Sequence, residues 1–469
     1  NSSDYGPVTI KNCDARRHRS GIILSGGQNY TVNNNDLRGC GFNSEEPAFY
    51  INSISQLDAS IPMGLTASGN KFGSANSINM NCGIRLENIG GIKITNIAGP
   101  GNHIVVTASD SLYRALGTAG NFPSAIMLRN TSGIVIDSLN LNFTGTQTGT
   151  GIYCHNDAAG QYGNIFSNNL IKNRRLGIRI NNGSDYTLTG NDFQTTGIAD
   201  DEPAIRLEHV VEGNLSGGVS ISGNNFGGTN ALYGLKFVNM SNLKISDGTF
   251  GGTNVNLGLY GTNGLSEVAA GTGYVLHLSS VCNTEVNSLD LSRSGSTRQG
   301  TGIRLSSGMG NTIQKIYAQG RDNGLQISGS VSETIKCNTL YDNNFGMDFL
   351  NSTITGLSLI NNSMMCNTTG IKSAVTGTLN ATSNYWGAAN GPTNLGGTGN
   401  GYTGTVNANS FLTAPDACAN IVPNTDAFGN NVLIEDGDIT PSINDGTLVC
   451  GIPIGQNIVT NYTVKNNGG

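Results

Sequence analysis

The sequence G-I-R-L at residues 302–305 recurs as G-L-Q-I at 324–327, as G-M-D-F at 346–349 and as G-I-K at 370–372. Successive starts are 22, 22 and 24 residues apart. Self-similarity at such a period is typical of a solenoid built from one repeated structural unit. Inside each block, apolar residues alternate with other residues, which predicts a strand with one buried face. A unit of this length is too short to bury its own apolar face. Stacked units must therefore share one core.

The same block recurs upstream of residue 302, with less regular spacing. Its starts there are Gly21, Ala48, Gly83, Ala125, Gly151, Gly177, Ala204, Gly234 and Val275. Two further β-forming positions follow at offsets of nine and eleven residues, as Ile92 and Ile94 show. Each repeat is therefore predicted to hold two or three short strands. We count thirteen coils, which would form a rod about 60 Å long, with the segments 97–124, 194–203 and 251–273 as inserted loops.

Composition excludes several classes of protein. Glycine contributes 67 of 469 residues and asparagine is also abundant, which disfavours a helical fold because both residues favour turns. The net charge of −6 argues against a nucleic-acid partner. No apolar stretch is long enough to span a bilayer, so we expect no direct membrane insertion. The nine cysteines show no metal-ligand spacing, and we expect no metal and no cofactor. Cys418 and Cys450 could pair, but the sequence does not decide the connectivity.

Asparagines share one place in the repeat, after the second strand. We predict a structural role for them, because stacked amides can hydrogen-bond along the rod and asparagine tolerates left-handed backbone at sharp turns. The residues are Asn35, Asn70, Asn191, Asn224, Asn338, Asn362 and Asn384.

The coil pattern resembles the right-handed parallel β-helix of the pectate-lyase-like superfamily over residues 1–418. The resemblance implies an all-β fold, a right-handed parallel β-helix. The run Asn384-Tyr385-Trp386-Gly387 followed by Gly391-Pro392 resembles the helix endings of secreted bacterial β-helix proteins. A stacked rod must cover its open apolar end, and Trp386 is predicted to plug it, with a glycine-rich loop at 396–404 beyond.

The repeat stops after Cys418. Residues 419–427 read as a linker, and 428–469 resemble the opening of a Hydin-type (choice-of-anchor D) immunoglobulin-like domain. The matching stretches are GNNVLIEDGDITPS at 429–442 and YTVKNNG at 462–468. A complete sandwich of this kind needs about 100 residues, so this one is truncated. The pairing of domains implies a large secreted surface protein of the Bacteroidetes type. Export by the type IX system, and contact with secretion or surface-anchoring machinery through regions outside this chain, would follow.

The third position of each first strand points away from the core, because its neighbours point inward. Many of these positions carry a cation. The predicted binding residues are Arg85, Tyr153, Arg179, Arg206, Lys236, Arg304 and Lys372. One interpretation is a groove for an anionic glycan, with Tyr153 as an aromatic platform. The other is a set of solvated side chains that block lateral association and pair locally with Glu87 and Glu208.

Catalytic patterns known from this fold are not recognisable. There is no G-H-G stretch, and the one Asp-Asp pair, Asp200-Asp201, lies in a predicted loop beside Glu202. We therefore predict no catalytic residues and a non-catalytic, secreted cell-surface or adhesin module that binds a polysaccharide or cell-surface glycan. A polysaccharide lyase or glycoside hydrolase with a divergent site is the first alternative. It would need carboxylates or an Arg/Lys base that converge on one face. A purely structural stalk is the second.

Overall fold

The computed structural model describes most of the chain in ranges separated by gaps. The described residues are 8–27, 30–42, 45–53, 65–70, 82–95, 104–108, 124–142, 149–157, 163–210, 219–226, 233–246, 254–256, 273–291, 293, 297–351, 353–419, 427–429 and 432–434. They fall into two compact units. Unit 1 comprises Asn1–Met240 and Gly248–Val268, and unit 2 comprises Ser241–Asp247 and Ala269–Gly469.

Short strands dominate both units. The first nineteen in chain order are β1 (Val8–Lys11), β2 (Ile22–Ser25), β3 (Tyr30–Asn33), β4 (Phe49–Asn52), β5 (Leu65–Asn70), β6 (Cys82–Gly90), β7 (Ile92–Thr95), β8 (Ile104–Ala108), β9 (Ser124–Ser132), β10 (Val135–Asp137), β11 (Thr150–His155), β12 (Ile165–Ser167), β13 (Leu176–Asn181), β14 (Thr187–Thr189), β15 (Ile205–Glu208), β16 (Ser220–Ser222), β17 (Tyr233–Val238), β18 (Lys244–Ser246) and β19 (Asn254–Asn256). All belong to unit 1 except β18.

The remaining strands belong to unit 2. They are β20 (Tyr274–Ser279), β21 (Glu285–Asn287), β22 (Thr301–Ser306), β23 (Thr312–Gln314), β24 (Tyr317–Gln319), β25 (Asn323–Ser328), β26 (Thr334–Lys336), β27 (Thr339–Tyr341), β28 (Phe345–Phe349), β29 (Ser358–Ile360), β30 (Ser363–Met365), β31 (Thr369–Ser373), β32 (Leu379–Asn380), β33 (Tyr402–Thr403), β34 (Val406–Asn407), β35 (Ala427–Gly429) and β36 (Val432–Ile434). Two 3₁₀ turns accompany them, η1 (Thr393–Leu395) and η2 (Ala417–Ala419). No helix in the described ranges is long and apolar enough to cross a membrane.

Unit 1 holds two long parallel sheets. The first sheet has the order β2-β4-β6-β9-β11-β13-β15-β17, and the second has the order β1-β3-β5-β8-β7-β10-β12-β14-β16-β19. Inward side chains stack in register from strand to strand. One buried row of the first sheet is Phe49, Ile84, Ile126, Ile152, Ile178, Ile205 and Leu235. Each coil thus covers the apolar face of the one before it, which is how short repeats share a core.

Unit 2 repeats this arrangement. Its first sheet is β20-β22-β25-β28-β31-β33, its second is β18-β21-β23-β26-β29, and β24-β27-β30 form a third parallel sheet. The predicted all-β, parallel β-helix fold is confirmed. One difference is β33, which lies inside the predicted glycine-rich loop and pairs with β31. Tyr402 of β33 packs on the buried Trp386 with ring centroids 5.7 Å apart, which accounts for the extra strand.

The C-terminal predictions fall largely outside the described residues. Of the predicted linker and immunoglobulin-like segment, the structure describes only Ala419, Ala427 and the antiparallel pair β35–β36. That hairpin does not test either prediction.

Buried asparagines connect successive coils through their side chains. Asn338 Nδ2 donates to Asn362 Oδ1 at 2.9 Å, and Asn362 Nδ2 donates to Asn384 Oδ1 at 2.9 Å. The pairs Asn35–Asn70 and Asn191–Asn224 are bonded in the same way, at 2.9 and 3.0 Å. Each amide also satisfies backbone groups of the turn, so the ladder completes the hydrogen bonding of buried backbone.

The structure adds asparagines that the repeat pattern did not single out. Asn169 joins the ladder through Asn191, at 2.9 Å. A second ladder in unit 2 links Asn343, Asn367 and Asn400, at 3.0 and 3.1 Å.

Left-handed backbone falls one residue before the asparagines, not on them, so that part of the prediction is wrong. Asn34, Gly190, Gly223, Cys337, Asn361 and Ser383 have φ between 57° and 65°. The preceding residue therefore makes the sharp turn, and the asparagine keeps ordinary backbone while its amide reaches the carbonyl of a neighbouring coil.

Cys418 forms a disulfide with Cys337, so its possible pairing with Cys450 is wrong. Cys337 lies in the turn after β26, within reach of η2. The bond closes a loop with a sequence separation of 81 residues, and such bonds typically contribute about 2–4 kcal/mol. Cys82 and Cys154 are free and buried, and burial raises their pKa to about 12 and about 11. These two thiols are therefore packing residues.

Removing one ladder amide tests the role of the asparagines. We expect Asn362→Ala to lower the free energy of unfolding by about 2–4 kcal/mol, because it leaves the backbone N–H and one side-chain N–H of Asn338 without their acceptor and removes the side-chain bond to Asn384. Urea denaturation of the full chain measures this. The exposed Asn409→Ala is the control and should cost less than about 0.5 kcal/mol. Equal costs for the two variants would contradict a structural ladder.

Glu333, immediately before β26, stacks on Asn311, immediately before β23, and Asn311 donates to it from its backbone at 2.8 Å and from its side chain at 3.3 Å. Burial raises the pKa of Glu333 to about 7 from 4.5, although the Asn311 bonds lower it. Between pH 4.5 and about 7 the folded protein binds more protons than the unfolded chain, so the free energy of unfolding falls as pH rises through this range.

We expect Glu333→Gln to remove this contribution, because the amide stays neutral. Melting temperatures of the two proteins between pH 4 and pH 8 measure the difference. Wild type should lose stability relative to Glu333→Gln as pH rises. Parallel curves would contradict a buried, titrating Glu333.

Candidate functional site

The third residues of the first-sheet strands form one in-register row in each unit, which we call the third-position rows. In unit 1 the row is Tyr50, Arg85, Met127, Tyr153, Arg179, Arg206 and Lys236. In unit 2 it is His277, Arg304, Gln326, Asp348 and Lys372. Every predicted binding residue lies in one of these rows. Their role in binding remains a prediction.

Several members of the rows are covered, which the sequence did not predict. Arg85 and Lys236 are 4 % and 5 % exposed, and Tyr153 is also buried. These three side chains are therefore not solvated, whereas the side chain of Lys372 is 43 % exposed.

Carboxylates accompany the cations of unit 1. Arg179 donates to Glu208 Oε2 at 2.7 and 3.1 Å, and Arg206 Nε donates to Glu208 Oε1 at 2.9 Å. Glu208 lies two residues after Arg206 on the same strand, on the same face. Both of its oxygens are therefore occupied by guanidinium groups, which makes it a residue that positions the two arginines.

The inserted loop at 194–203 adds two carboxylates. Gly197 turns the chain with φ of 95°, and Ala199 and Glu202 pair across the tip. Arg175 holds Glu202 by an ion pair. The loop thereby brings Asp200 and Asp201 to the row, and their side chains are 41 % and 78 % exposed.

Lys236 and Arg206 bind these loop carboxylates. Lys236 Nζ lies 2.5 Å from Asp200 Oδ2 and 3.2 Å from Asp201 Oδ1, and Arg206 Nη1 lies 2.9 Å from Asp201 Oδ1. Asp200 and Asp201 therefore meet at one buried ammonium group. We call Asp200, Asp201, Arg206 and Lys236 the aspartate site.

The charges of the aspartate site set its protonation. Burial raises the pKa of Asp201, but Lys236 and Arg206 outweigh it and hold that pKa below its ordinary value. Burial lowers the pKa of Arg206, but hydrogen bonds with Glu208 and Asp201 outweigh it and raise that pKa. Asp201 is therefore an ionised carboxylate at neutral pH, and Arg206 stays protonated.

An aromatic group borders the site. The guanidinium carbon of Arg179 lies 5.6 Å from the centroid of the Tyr153 ring, and the rings of Tyr153 and His155 are 6.1 Å apart. Further along the row, Arg85 pairs with Glu87 at 2.7 Å and with Glu45 at 3.0 Å.

The row of unit 2 has a different composition. Lys372 lies 3.4 Å from Asp348 and 4.7 Å from the ring centroid of Phe345. His277, in register with Arg304, is hydrogen-bonded to Ser306 at 3.0 Å. No group of three or more His, Cys, Asp or Glu side chains among the described residues could hold a metal ion.

Asp200 and Asp201 lie in a loop outside the repeat, so the repeat pattern does not assign them a role. A signal was present, because Pro203-Ala204 leads from this loop directly into β15. A loop that ends where a first-sheet strand begins must lie beside the third-position row.

Comparisons with known proteins give a weak likeness. No family model matches the chain, and no curated protein matches it. A DFA-IIIase from Arthrobacter chlorophenolicus A6 is 11 % identical with a TM-score of 0.29, over 72 % of this chain and 86 % of that chain. A GH136 lacto-N-biosidase from Eubacterium ramulus is 11 % identical with a TM-score of 0.25, over 66 % and 55 %. The A-module of a mannuronan C-5 epimerase from Azotobacter vinelandii is 13 % identical with a TM-score of 0.23, over 83 % and 91 %.

The predictions of a non-catalytic adhesin module and of a chain that is not an enzyme are wrong. The solved structures named above are enzymes by their names, which is the finding against those two predictions. The carboxylates of the aspartate site meet the requirement stated for the alternative of a glycoside hydrolase. None of the TM-scores reaches 0.5, so no residue, substrate or mechanism is transferred to this chain.

Proposed function

We propose that this chain is a glycoside hydrolase with its reaction centre at the aspartate site. The observation that carries the proposal is the convergence of two exposed carboxylates, Asp200 and Asp201, on the buried ammonium of Lys236. Most glycoside hydrolases use two carboxyl groups, one to protonate the leaving oxygen and one to act as nucleophile or base.

The separation of the carboxylates favours a retaining reaction. The two oxygens lie 2.5 and 3.2 Å from the same nitrogen, so they are less than 6 Å apart. Retaining enzymes hold their carboxyl groups about 5–5.5 Å apart, whereas inverting enzymes leave about 6.5–9.5 Å for a water molecule. Asp201, kept ionised, is suited to be the nucleophile, and Asp200 is the second carboxyl group of the pair.

The arginines argue against a lyase. An elimination would need an Arg or Lys that can take a proton from the sugar. Arg206 has a raised pKa and is held by Glu208 and Asp201, so it stays protonated. We therefore favour hydrolysis over elimination.

The local charge favours a neutral glycan. Arg179, Arg206 and Lys236 supply three positive charges, and Glu208, Asp200 and Asp201 supply three negative ones. The cations are thus neutralised by neighbours, and an anionic substrate gains little from them.

We also propose that the chain is secreted. The Cys337–Cys418 disulfide supports this, because disulfides persist mainly in oxidising compartments. An immunoglobulin-like continuation, a Bacteroidetes-type source and type IX export rest on the sequence resemblance alone.

Incubation of the full chain with laminarin, xylan, galactomannan, pullulan, polygalacturonate and alginate tests the activity. Mass spectrometry in H₂¹⁸O distinguishes hydrolysis, which adds labelled oxygen, from elimination, which leaves an unsaturated product. We expect labelled products from a neutral glycan, and about a 10²–10⁴-fold lower rate for Asp200→Asn and Asp201→Asn. Asp137→Asn, on the second sheet, is the control. The proposal would be contradicted if none of the glycans were cleaved, or if all variants cleaved them at the same rate.

The pH dependence of the rate tests the role assigned to Asp201. Its lowered pKa keeps the nucleophile ionised in acid, so we expect activity to persist below the ordinary carboxyl pKa of about 4. Lys236→Met removes a stabilising cation and should move the acid limb of kcat/KM to higher pH. An unmoved limb would show that Asp201 does not titrate in the reaction.

A further inference from the structure

Unit 1 contains a second copy of the loop that builds the aspartate site. The segment LRGCGFNSEEPAFY at 37–50 aligns without gaps with FQTTGIADDEPAIR at 193–206. In this alignment Glu45 corresponds to Asp201, Glu46 to Glu202 and Pro47 to Pro203. Each segment leads into a first-sheet strand, β4 or β15.

The described residues of the two loops share a glycine turn and an arginine anchor. Gly41 has φ of 97° and Gly197 has φ of 95°. The backbone N–H of Gly41 donates to the carbonyl of Arg19, and that of Gly197 donates to the carbonyl of Arg174. An arginine two residues before the start of the preceding repeat, at Gly21 or Gly177, anchors each loop. Arg19 binds Glu46 at 2.6 Å, as Arg175 binds Glu202.

Each loop also presents one carboxylate to a cation on the next coil. Glu45 lies 3.0 Å from Arg85 of β6, as Asp201 lies 3.2 Å from Lys236 of β17. The side chains of Glu45 and Asp201 are 76 % and 78 % exposed, while both cations are buried. Unit 1 therefore contains two places where a buried cation on one coil binds an exposed carboxylate of an inserted loop.

The first copy differs at the residues that the reaction would need. The sequence has Ser44 where the second copy has Asp200, and Tyr50 where it has Arg206. The hydroxyl of Tyr50 donates to Glu87 at 2.6 Å, and the guanidinium carbon of Arg85 lies 5.1 Å from its ring centroid. Glu46 is held by Arg19, so the first loop presents only Glu45 to the row and cannot supply both an acid and a nucleophile there. It can accept hydrogen bonds from sugar hydroxyls beside an aromatic ring.

We propose that Glu45, Tyr50, Arg85 and Glu87 form a second, non-catalytic saccharide-binding site for a distant part of the glycan that is cleaved at the aspartate site. This inference rests on the proposed function for the glycan class. The occupant is a polymer of neutral sugars.

The spacing determines how long that polymer must be. Five strand steps separate Arg85 of β6 from Lys236 of β17, through β9, β11, β13 and β15. At about 4.8 Å per step the two sites lie about 24 Å apart on one face. Only an extended chain of several sugar units reaches both. Simultaneous contact then raises the affinity for the polymer without any change in the affinity for short fragments.

Affinity electrophoresis of the full-length Asp200→Asn variant in gels with laminarin, xylan, galactomannan or pullulan tests the second site without cleavage. We expect one of these polymers to retard the protein. Adding Glu45→Gln should make the dissociation constant for that polymer at least tenfold larger. Glu45 is exposed, so its substitution should not impair folding. Asp14→Asn, an exposed ion-paired carboxylate outside both loops, is the control. No retardation, or equal retardation with and without Glu45→Gln, would overturn the second site.

Kinetics of otherwise wild-type protein separate this inference from the proposed function. Glu45→Gln should raise KM at least tenfold for the polymer and leave kcat and the hydrolysis of short oligosaccharides unchanged. An unchanged KM for the polymer would refute the second site while leaving the hydrolase intact. Cleavage that survives Asp201→Asn would instead refute the aspartate site as the reaction centre.

Discussion

Hydrogen bonds between stacked asparagine side chains hold successive coils in one register, and the other features of each unit depend on that register. The amides of Asn338, Asn362 and Asn384 are buried, so each needs its neighbour to satisfy it. A shift of one residue would break the ladder and turn the apolar row at Ile84, Ile126 and Ile152 toward solvent. Packing and hydrogen bonding therefore specify the same alignment.

A fixed register also places like side chains above one another, which is costly for charges about 4.8 Å apart. The structure resolves this for Arg179 and Arg206 through Glu208, on the same face two residues along β15. Lys236 receives its counter-charges from the inserted loop instead. The two carboxylates that neutralise Lys236 are thus also the groups exposed above the row, where the proposed reaction would take place.

The fold could be predicted from the sequence because the repeat is local and periodic. Strand positions, the inward residues and the third-position rows follow from an alternation that any coil displays. The aspartate site could not be predicted from the sequence, because it depends on how an irregular loop folds. Asp200 and Asp201 reach Lys236 only through the turn at Gly197 and the ion pair between Arg175 and Glu202. The Cys337–Cys418 disulfide could not be predicted either, because the spacing of cysteines in the sequence does not decide which of them pair.

The central claim is that two carboxylates close together on one ammonium group cleave a glycosidic bond through a covalent intermediate. Proton NMR of the newly formed anomeric centre, recorded during the first minutes of cleavage, tests this most directly. The separation of Asp200 and Asp201 predicts that the first product has the same anomeric configuration as the substrate. A first product of inverted configuration, or an unsaturated sugar at the new end, would contradict the account.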